Sequence, residues 1–513
     1  MNRKLDFPSL LLFTSLLFGT IVRFYPAIAN GFPLNDGGMF YTMVQDLKSN
    51  GYALPQFTTY NHADIPFVYP PLGFYIASFL SLLPVSDLSI FLYLPALVNT
   101  ISVFIFYLFA KETLNARIPA SLATLIYALS PRAFLWQVMG GGITRAFGML
   151  FLLLMLWQAM ELFKNYQHKH LIFTILFGAG TVTSHPQTAL HAVLGGLLIF
   201  LFYGFNKRGF ISAILTGMGV AILSAPWWLT VFSRHGIEPF ISAGQTSQRT
   251  LESYLSLIRF DGLGDYLILP TMLLAFIGIY LSLKRKDIFM LTWAVLALLI
   301  DPRGGEGIAL LSFSMLASMG LIQLSAWINR TNNEPSESLV TSKSNLIMIF
   351  SLTIYFILGA SIFDFQLVNT SLKANDLEMI EWVKSNVEDD KTFLLATGRE
   401  FSMSDPMQEW FPALTNQYSA TTMQGLEWTL GENFFPYYEQ LQAFQKCADV
   451  NCVNEWAVTN NVDYDYLTVL IPNKNDSSEL TDSLKNFGVS MRSSALHLLV
   501  YESEHALVFK LNK

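Results

Sequence analysis

The chain has 513 residues, of which 52% are hydrophobic and only 13% are charged, where an ordinary soluble domain carries about 25% charged residues. One large core cannot absorb the difference, because single cores stop growing near about 250–300 residues. Lipid-facing surface accounts for it, and a net charge of −7 argues against a nucleic-acid partner.

A membrane-spanning helix needs about 20 apolar residues. The first such run, 8–29, follows Met1-Asn2-Arg3-Lys4. It is too long for a signal-peptide core and no A-x-A site follows it, so it is read as a retained span. Further spans are predicted at 88–110, 117–133, 143–163, 170–184, 187–205, 209–232, 265–283, 287–300, 306–328 and 345–364, about eleven in all. The apolar piece 71–85 is bracketed by Pro70-Pro71 and Pro84. Lys and Arg concentrate in cytoplasmic loops. If 71–85 does not cross, the clusters Arg3/Lys4, Lys111/Arg117, Lys164/Lys169, Lys207/Arg208, Lys284/Arg285/Lys286 and Arg330/Lys343 all fall on one side. The piece is therefore predicted to be a partial or surface-lying helix within a first external loop, 30–87. The N-terminus is then cytoplasmic, and loops 133–145, around 185, 233–264 and 301–306 are external.

The polar stretch 329–344 is a cytoplasmic linker, and composition changes again beyond Phe365. Patterning there predicts helices at 376–387, 431–446 and 477–487, strands at 392–397 and 464–471, and a closing hairpin, 496–502 with 506–511. The expected architecture is a polytopic α-helical membrane module, 1–365, followed by an extracytoplasmic α/β domain, 366–513. Cys447 and Cys452 have no nearby His pair, which argues against a zinc site and leaves a small local disulfide open.

Ionisable residues inside spans are expensive and mark function. The middles of the predicted spans are nearly free of them. Arg23, Arg132, Arg145, His185, His191, Asp301, Arg303 and Glu306 instead sit at or near outer ends. An ion or proton relay would need carboxylates at mid-depth. The outer boundary, where a lipid headgroup meets an external substrate, is the expected site.

Asn35-Asp36-Gly37-Gly38 follows the first span directly, with a helix predicted at 39–49 and His62, Asp64 and Tyr69-Pro70-Pro71 beyond it. A carboxylate at a membrane exit beside flexible Gly suits a general base or a metal ligand. It equally suits a cap for helix 39–49. This region resembles the GT-C superfamily of membrane glycosyltransferases, such as protein O-mannosyltransferases and aminoarabinose transferases. The carrying residues are Asp36, the amphipathic helix after it and Tyr69-Pro70-Pro71-Leu72, together with the charge-derived topology. The resemblance implies that Asp36 activates the acceptor nucleophile and that the donor is a polyprenyl-phosphate sugar. Many members carry Asp-Glu where this chain has Asp36-Gly37, so a second carboxylate would have to come from Asp64, Asp301 or Glu306. That leaves open whether Mg²⁺ or Mn²⁺ takes part, with Asp36 and Asp64 as its candidate ligands. The WWDYG run of the oligosaccharyltransferase branch is absent from the sequence.

Gly140-Gly141-Gly142 opens a span and precedes Arg145. Exposed backbone N–H groups and a guanidinium fork suit a lipid phosphate; a turn with Arg145 snorkelling to headgroups is the alternative. Arg303, in Asp301-Pro302-Arg303, and Arg132 are further phosphate candidates. His185, Gln187 and Glu306 are candidates for holding acceptor or sugar, beside His62 and Asp64. In the C-terminal part, Glu409-Trp410 and Glu427-Trp428 combine indoles with carboxylates, as sugar-gripping sites do, or anchor a core.

Three function classes follow. The first is an inverting glycosyltransferase of a cell envelope, expected in a prokaryotic plasma membrane, moving a sugar from a polyprenyl-phosphate donor to a protein or glycan acceptor. The second is a transporter or flippase of lipid-linked saccharides, which would use Gly/Pro breaks but needs mid-depth charge. The third, a non-catalytic scaffold, leaves the polar groups at the outer ends unexplained.

Overall fold

The structure is a computed structural model that describes residues 6–246, 263–302, 304–330, 340–399, 401–471 and 478–512. All eleven predicted spans fall on helices. Helix α1 (Phe7–Asn30) starts where the Asp6 side chain accepts from the Ser9 N–H at 3.0 Å and stops at Gly31, whose φ is 74°. After α2 (Gly38–Ser49) and α3 (Leu72–Leu80) come α4 (Asp87–Leu114), α5 (Arg117–Leu129), α6 (Gly142–Asn165) and α7 (His168–Val182). The series continues with α8 (Pro186–Tyr203), α9 (Lys207–His235), α10 (Glu238–Gln245), α11 (Leu263–Arg285), α12 (Phe289–Ile300), α13 (Gly305–Ile328) and α14 (Lys343–Val368).

Among the described residues seven helices, α1, α4, α6, α8, α9, α13 and α14, are long and apolar enough to cross a bilayer. Helices α5 and α12 are apolar but shorter. The protein is an integral membrane protein. Helix α3 has nine residues, about 14 Å of rise, too little to cross. It lies against α2 and α6, as a partial helix should.

Helix α4 packs on α6, α6 on α7 and α8, α1 on α4 and α5, and α13 on α11, α12 and α5. Two of the basic clusters pair with acidic residues at one end of this bundle. There Arg117 pairs with Asp6 at 2.7 Å and Lys164 with Glu112 at 2.8 Å. The other end carries the α/β domain.

That domain comprises α15 (Ala374–Asn386), β1 (Thr392–Ala396), α16 (Pro406–Thr415), β2 (Tyr418–Ser419), α17 (Phe434–Gln445), α18 (Val450–Thr459), β3 (Tyr466–Leu470), α19 (Ser478–Arg492), β4 (His497–Glu502) and β5 (Ala506–Leu511). The sheet order is β2-β1-β3-β5-β4. Strands β2, β1 and β3 are parallel, and the β4–β5 hairpin joins antiparallel to β3. Cys447 and Cys452 form a disulfide ahead of and within α18.

Arg23 of α1 ties the bundle together. It is fully buried and donates to Asn99 Oδ1 of α4 at 2.6 Å and to the Ala128 carbonyl of α5 at 2.7 Å. Arg23→Leu strips both acceptors of a donor, and each unsatisfied buried group costs about 1–3 kcal/mol. Thermal unfolding of the purified protein should therefore begin several degrees lower; an unchanged midpoint would contradict this role.

Candidate active site

Residues 32–37, leading from α1 to α2, are fixed by backbone bonds on two sides. The Gly140 N–H donates to the Leu34 carbonyl at 2.9 Å, and the Asn35 N–H to the Thr370 carbonyl at 3.0 Å. Gly37 has a φ of 123° and lies on Gly140, where its Cβ would come within 2.8 Å of backbone carbon. A Cβ on Gly140 would run into the Asp36 carbonyl, and one on Gly38 into the Glu409 carbonyl. Three glycines thus let three backbone segments touch.

That contact delivers Asp36 to Arg145 of α6. Asp36 Oδ2 accepts from Arg145 Nη1 at 2.8 Å, and Oδ1 from Nη2 at 2.9 Å. Oδ1 also accepts from the Gly141 N–H at 3.0 Å. Arg145 Nε donates to the Trp136 carbonyl at 2.8 Å, and the guanidinium lies 5.5 Å from the Trp136 ring centre. Two of the five N–H donors of Arg145 remain for another acceptor. The Asp36 and Arg145 side chains are 15% and 19% exposed, so the pair is reachable but largely desolvated.

Asp36 does not cap α2. Glu409 of α16 does, accepting from the N–H groups of Gly37 and Met39 at 3.1 Å each. The Tyr60 hydroxyl donates to the Glu409 carbonyl at 2.7 Å. Burial, with Asp36 adding repulsion, pushes the Glu409 carboxyl up to about 8. Burial likewise pushes Glu427, whose charge reaches Glu409, up to about 7. Glu409 is the second carboxylate beside Asp36, and the sequence singled it out only as part of an indole-carboxylate pair.

The remaining predicted residues divide. Gln187 Nε2 donates to Asp301 Oδ2 at 2.6 Å, and His191 Nε2 lies 3.1 Å from the same oxygen. Arg132 pairs with Glu306. His185 caps α8, its Nδ1 accepting from the Thr188 N–H at 3.2 Å. It packs on Gly148, one turn past Arg145, and on the Tyr69 ring at 6.3 Å. Tyr69 touches Trp428 in turn, at 6.0 Å. Arg303 lies outside the described residues.

His62 and Asp64 are exposed. His62 docks on the Asn416 carbonyl at 2.9 Å, and among the described residues no hydrogen bond links Asp64 to Asp36. Trp410 is fully buried between Phe32 and Tyr41, with Nε1 donating to the Asn35 carbonyl at 2.9 Å. It has no face left for a sugar and acts as an anchor. Among the described residues no three His, Cys, Asp or Glu side chains converge as metal ligands.

The bundle and the α/β domain together have the fold of solved GT-C membrane glycosyltransferases. ArnT from Cupriavidus metallidurans, solved bound to undecaprenyl phosphate, is similar at a TM-score of 0.60 and 12% identity, over 96% of this chain and 97% of that one. The oligosaccharyltransferase AglB from Archaeoglobus fulgidus, solved with an inhibitory peptide and a dolichol-phosphate, is similar at 0.55 and 12% identity, over 90% and 69%. The arabinofuranosyltransferase AftD from Mycobacteria is similar at 0.59 and 13% identity, covering 98% of this chain and 41% of the larger one. No protein-family model and no curated protein matches the sequence.

The Glu409 carboxyl gives a pH test. In the folded protein it keeps its proton up to about 8, whereas an unfolded chain releases it near 4.5. The folded state therefore binds more protons across that window, and stability falls as pH rises through it. Glu409→Gln keeps an acceptor for Gly37 and Met39 but cannot ionise. Its melting temperature should gain on that of the wild type between about pH 5 and about pH 8. Parallel melting curves at every pH would rule out this burial effect.

Proposed function

We propose that the protein transfers a sugar from a polyprenyl-phosphate donor to an extracytoplasmic protein or glycan acceptor, with inversion at the anomeric carbon. The observation that carries this is the pairing of Asp36 with Arg145. A carboxylate from the first loop and a guanidinium at the start of α6 meet at the bundle end that bears the α/β domain. Two of the similar solved structures hold a polyprenyl phosphate, undecaprenyl phosphate in one and dolichol-phosphate in the other. The placement of Arg117 and Lys164 at the opposite end supports an extracytoplasmic location for the pair.

Each residue has a task in such a transfer. The acceptor hydroxyl attacks the anomeric carbon from the face opposite the phosphate. As the new carbon–oxygen bond forms, Asp36 takes the hydroxyl proton and the sugar–phosphate bond breaks with its electrons on phosphate. Arg145 then stabilises the charge gained by the leaving phosphate, in a partly desolvated site where such stabilisation is strong. An incoming phosphate also competes for the guanidinium, which loosens its hold on Asp36 and frees a carboxylate oxygen as base. The N–H groups of Gly141 and Arg145 keep that carboxylate oriented.

Asp36→Asn removes the base and retains the shape. Transfer from a polyprenyl-phosphate sugar by the purified variant should fall about 10²–10⁴-fold, with expression and lipid binding retained. Transfer at the wild-type rate would overturn the assignment.

A further inference from the structure

A cavity of about 530 Å³, whose lining includes neither Asp36 nor Arg145, lies at the carboxyl ends of the parallel strands β1 and β3. Crevices at that edge of an open α/β sheet are where such sheets take ligands, and the volume lies within the usual range for small-molecule pockets. Asn369 and Ser371, just past the end of α14, form part of its wall. Residues 32–35 lie behind that wall: Ser371 Oγ donates to the Pro33 carbonyl at 2.9 Å. The cavity is therefore separate from the Asp36–Arg145 pair.

The charged lining is balanced, with Lys373, Arg399 and Lys485 against Asp376, Asp405 and Glu504. Some of these groups are already engaged. Lys373 donates to Asn30 Oδ1 at 2.8 Å, and Asp376 accepts from the Lys373 N–H at 2.8 Å. Asp405 is different. It is 2% exposed, and one oxygen caps α16 by accepting from the Met407 N–H at 3.0 Å, while among the described residues Oδ2 has no hydrogen-bond partner. Among the same residues His505 Nδ1, in the same wall, has none either. Buried polar atoms of this kind normally have a partner. Arg399 and Lys485 present N–H donors from exposed positions at the rim.

An occupant must donate to a buried carboxylate and accept from a guanidinium, in a cavity whose charges already cancel. An ion satisfies only one of these demands, whereas hydroxyl groups satisfy both. We propose that this cavity is a saccharide-binding site, in which vicinal sugar hydroxyls donate to Asp405 Oδ2 and accept from Arg399. The inference concerns binding alone and does not depend on the transfer reaction.

The test is saturation-transfer NMR on the full-length protein in nanodiscs, with a panel of neutral mono- and disaccharides. At least one sugar should give a signal. Asp405→Asn, which retains a capping side chain, and Arg399→Gln, at an exposed position, should each weaken its affinity about tenfold or more. Asp36→Asn should leave that affinity unchanged. No signal from any sugar, affinities unaltered in both cavity variants, or occupation by inorganic phosphate or ethanolamine in place of sugar would each overturn the proposal.

Discussion

A carboxylate and a guanidinium held together at a membrane boundary set the terms for everything around them. Either group alone would carry a large desolvation cost in a largely buried position. Asp36 and Arg145 offset it with two parallel N–H to carboxylate bonds, and the Gly141 N–H adds a third. Meeting requires the loop after α1 to lie directly on the turn before α6. Side chains at Gly37 or Gly140 would hold those backbones apart. The small residues in both places are thus a condition for the charge pair and not slack in the chain.

The α/β domain completes that geometry. Helix α16 caps α2 through Glu409, anchors the Asn35 carbonyl through Trp410 and receives the Tyr60 hydroxyl on its backbone. Helix α10 adds a further tie, with Ser242 Oγ donating to the Glu427 carbonyl at 2.7 Å. The loop bearing Asp36 is therefore pinned from the membrane side by Gly140 and from the domain side by Glu409. A carboxylate on a loop pinned this way keeps its orientation, as the proposed transfer requires.

The membrane module was legible because lipid imposes a coarse rule: long apolar stretches must be helices. That rule placed a helix at every predicted span, seven of them long and apolar enough to cross, and, with the distribution of Lys and Arg, gave the short α3. The α/β domain was only partly legible. Helix α16 begins at Pro406 and contains Pro412, so its pattern reads as a turn, while β2 is two residues long and stands only through pairing with β1. Arg145 and Asp36 could be singled out separately, because each is an expensive group beside glycines. Their pairing, and the choice of Glu409 over Asp36 as the cap of α2, depend on contacts across more than 100 residues. No local spacing encodes those. His62 and Asp64 stood close to Asp36 in sequence, yet both are exposed beside the Phe57–Pro66 bridge, and His62 is spent on the Asn416 carbonyl.

The central claim is that Asp36 and Arg145 form one pocket that receives the donor phosphate. A cryo-EM map of the full-length protein with bound polyprenyl phosphate tests it most directly. The account predicts phosphate oxygens at hydrogen-bonding distance, about 3 Å, from the Arg145 guanidinium, with the Asp36 carboxylate facing the same pocket. A phosphate bound elsewhere, with the Asp36–Arg145 pair intact and distant from it, would contradict the account.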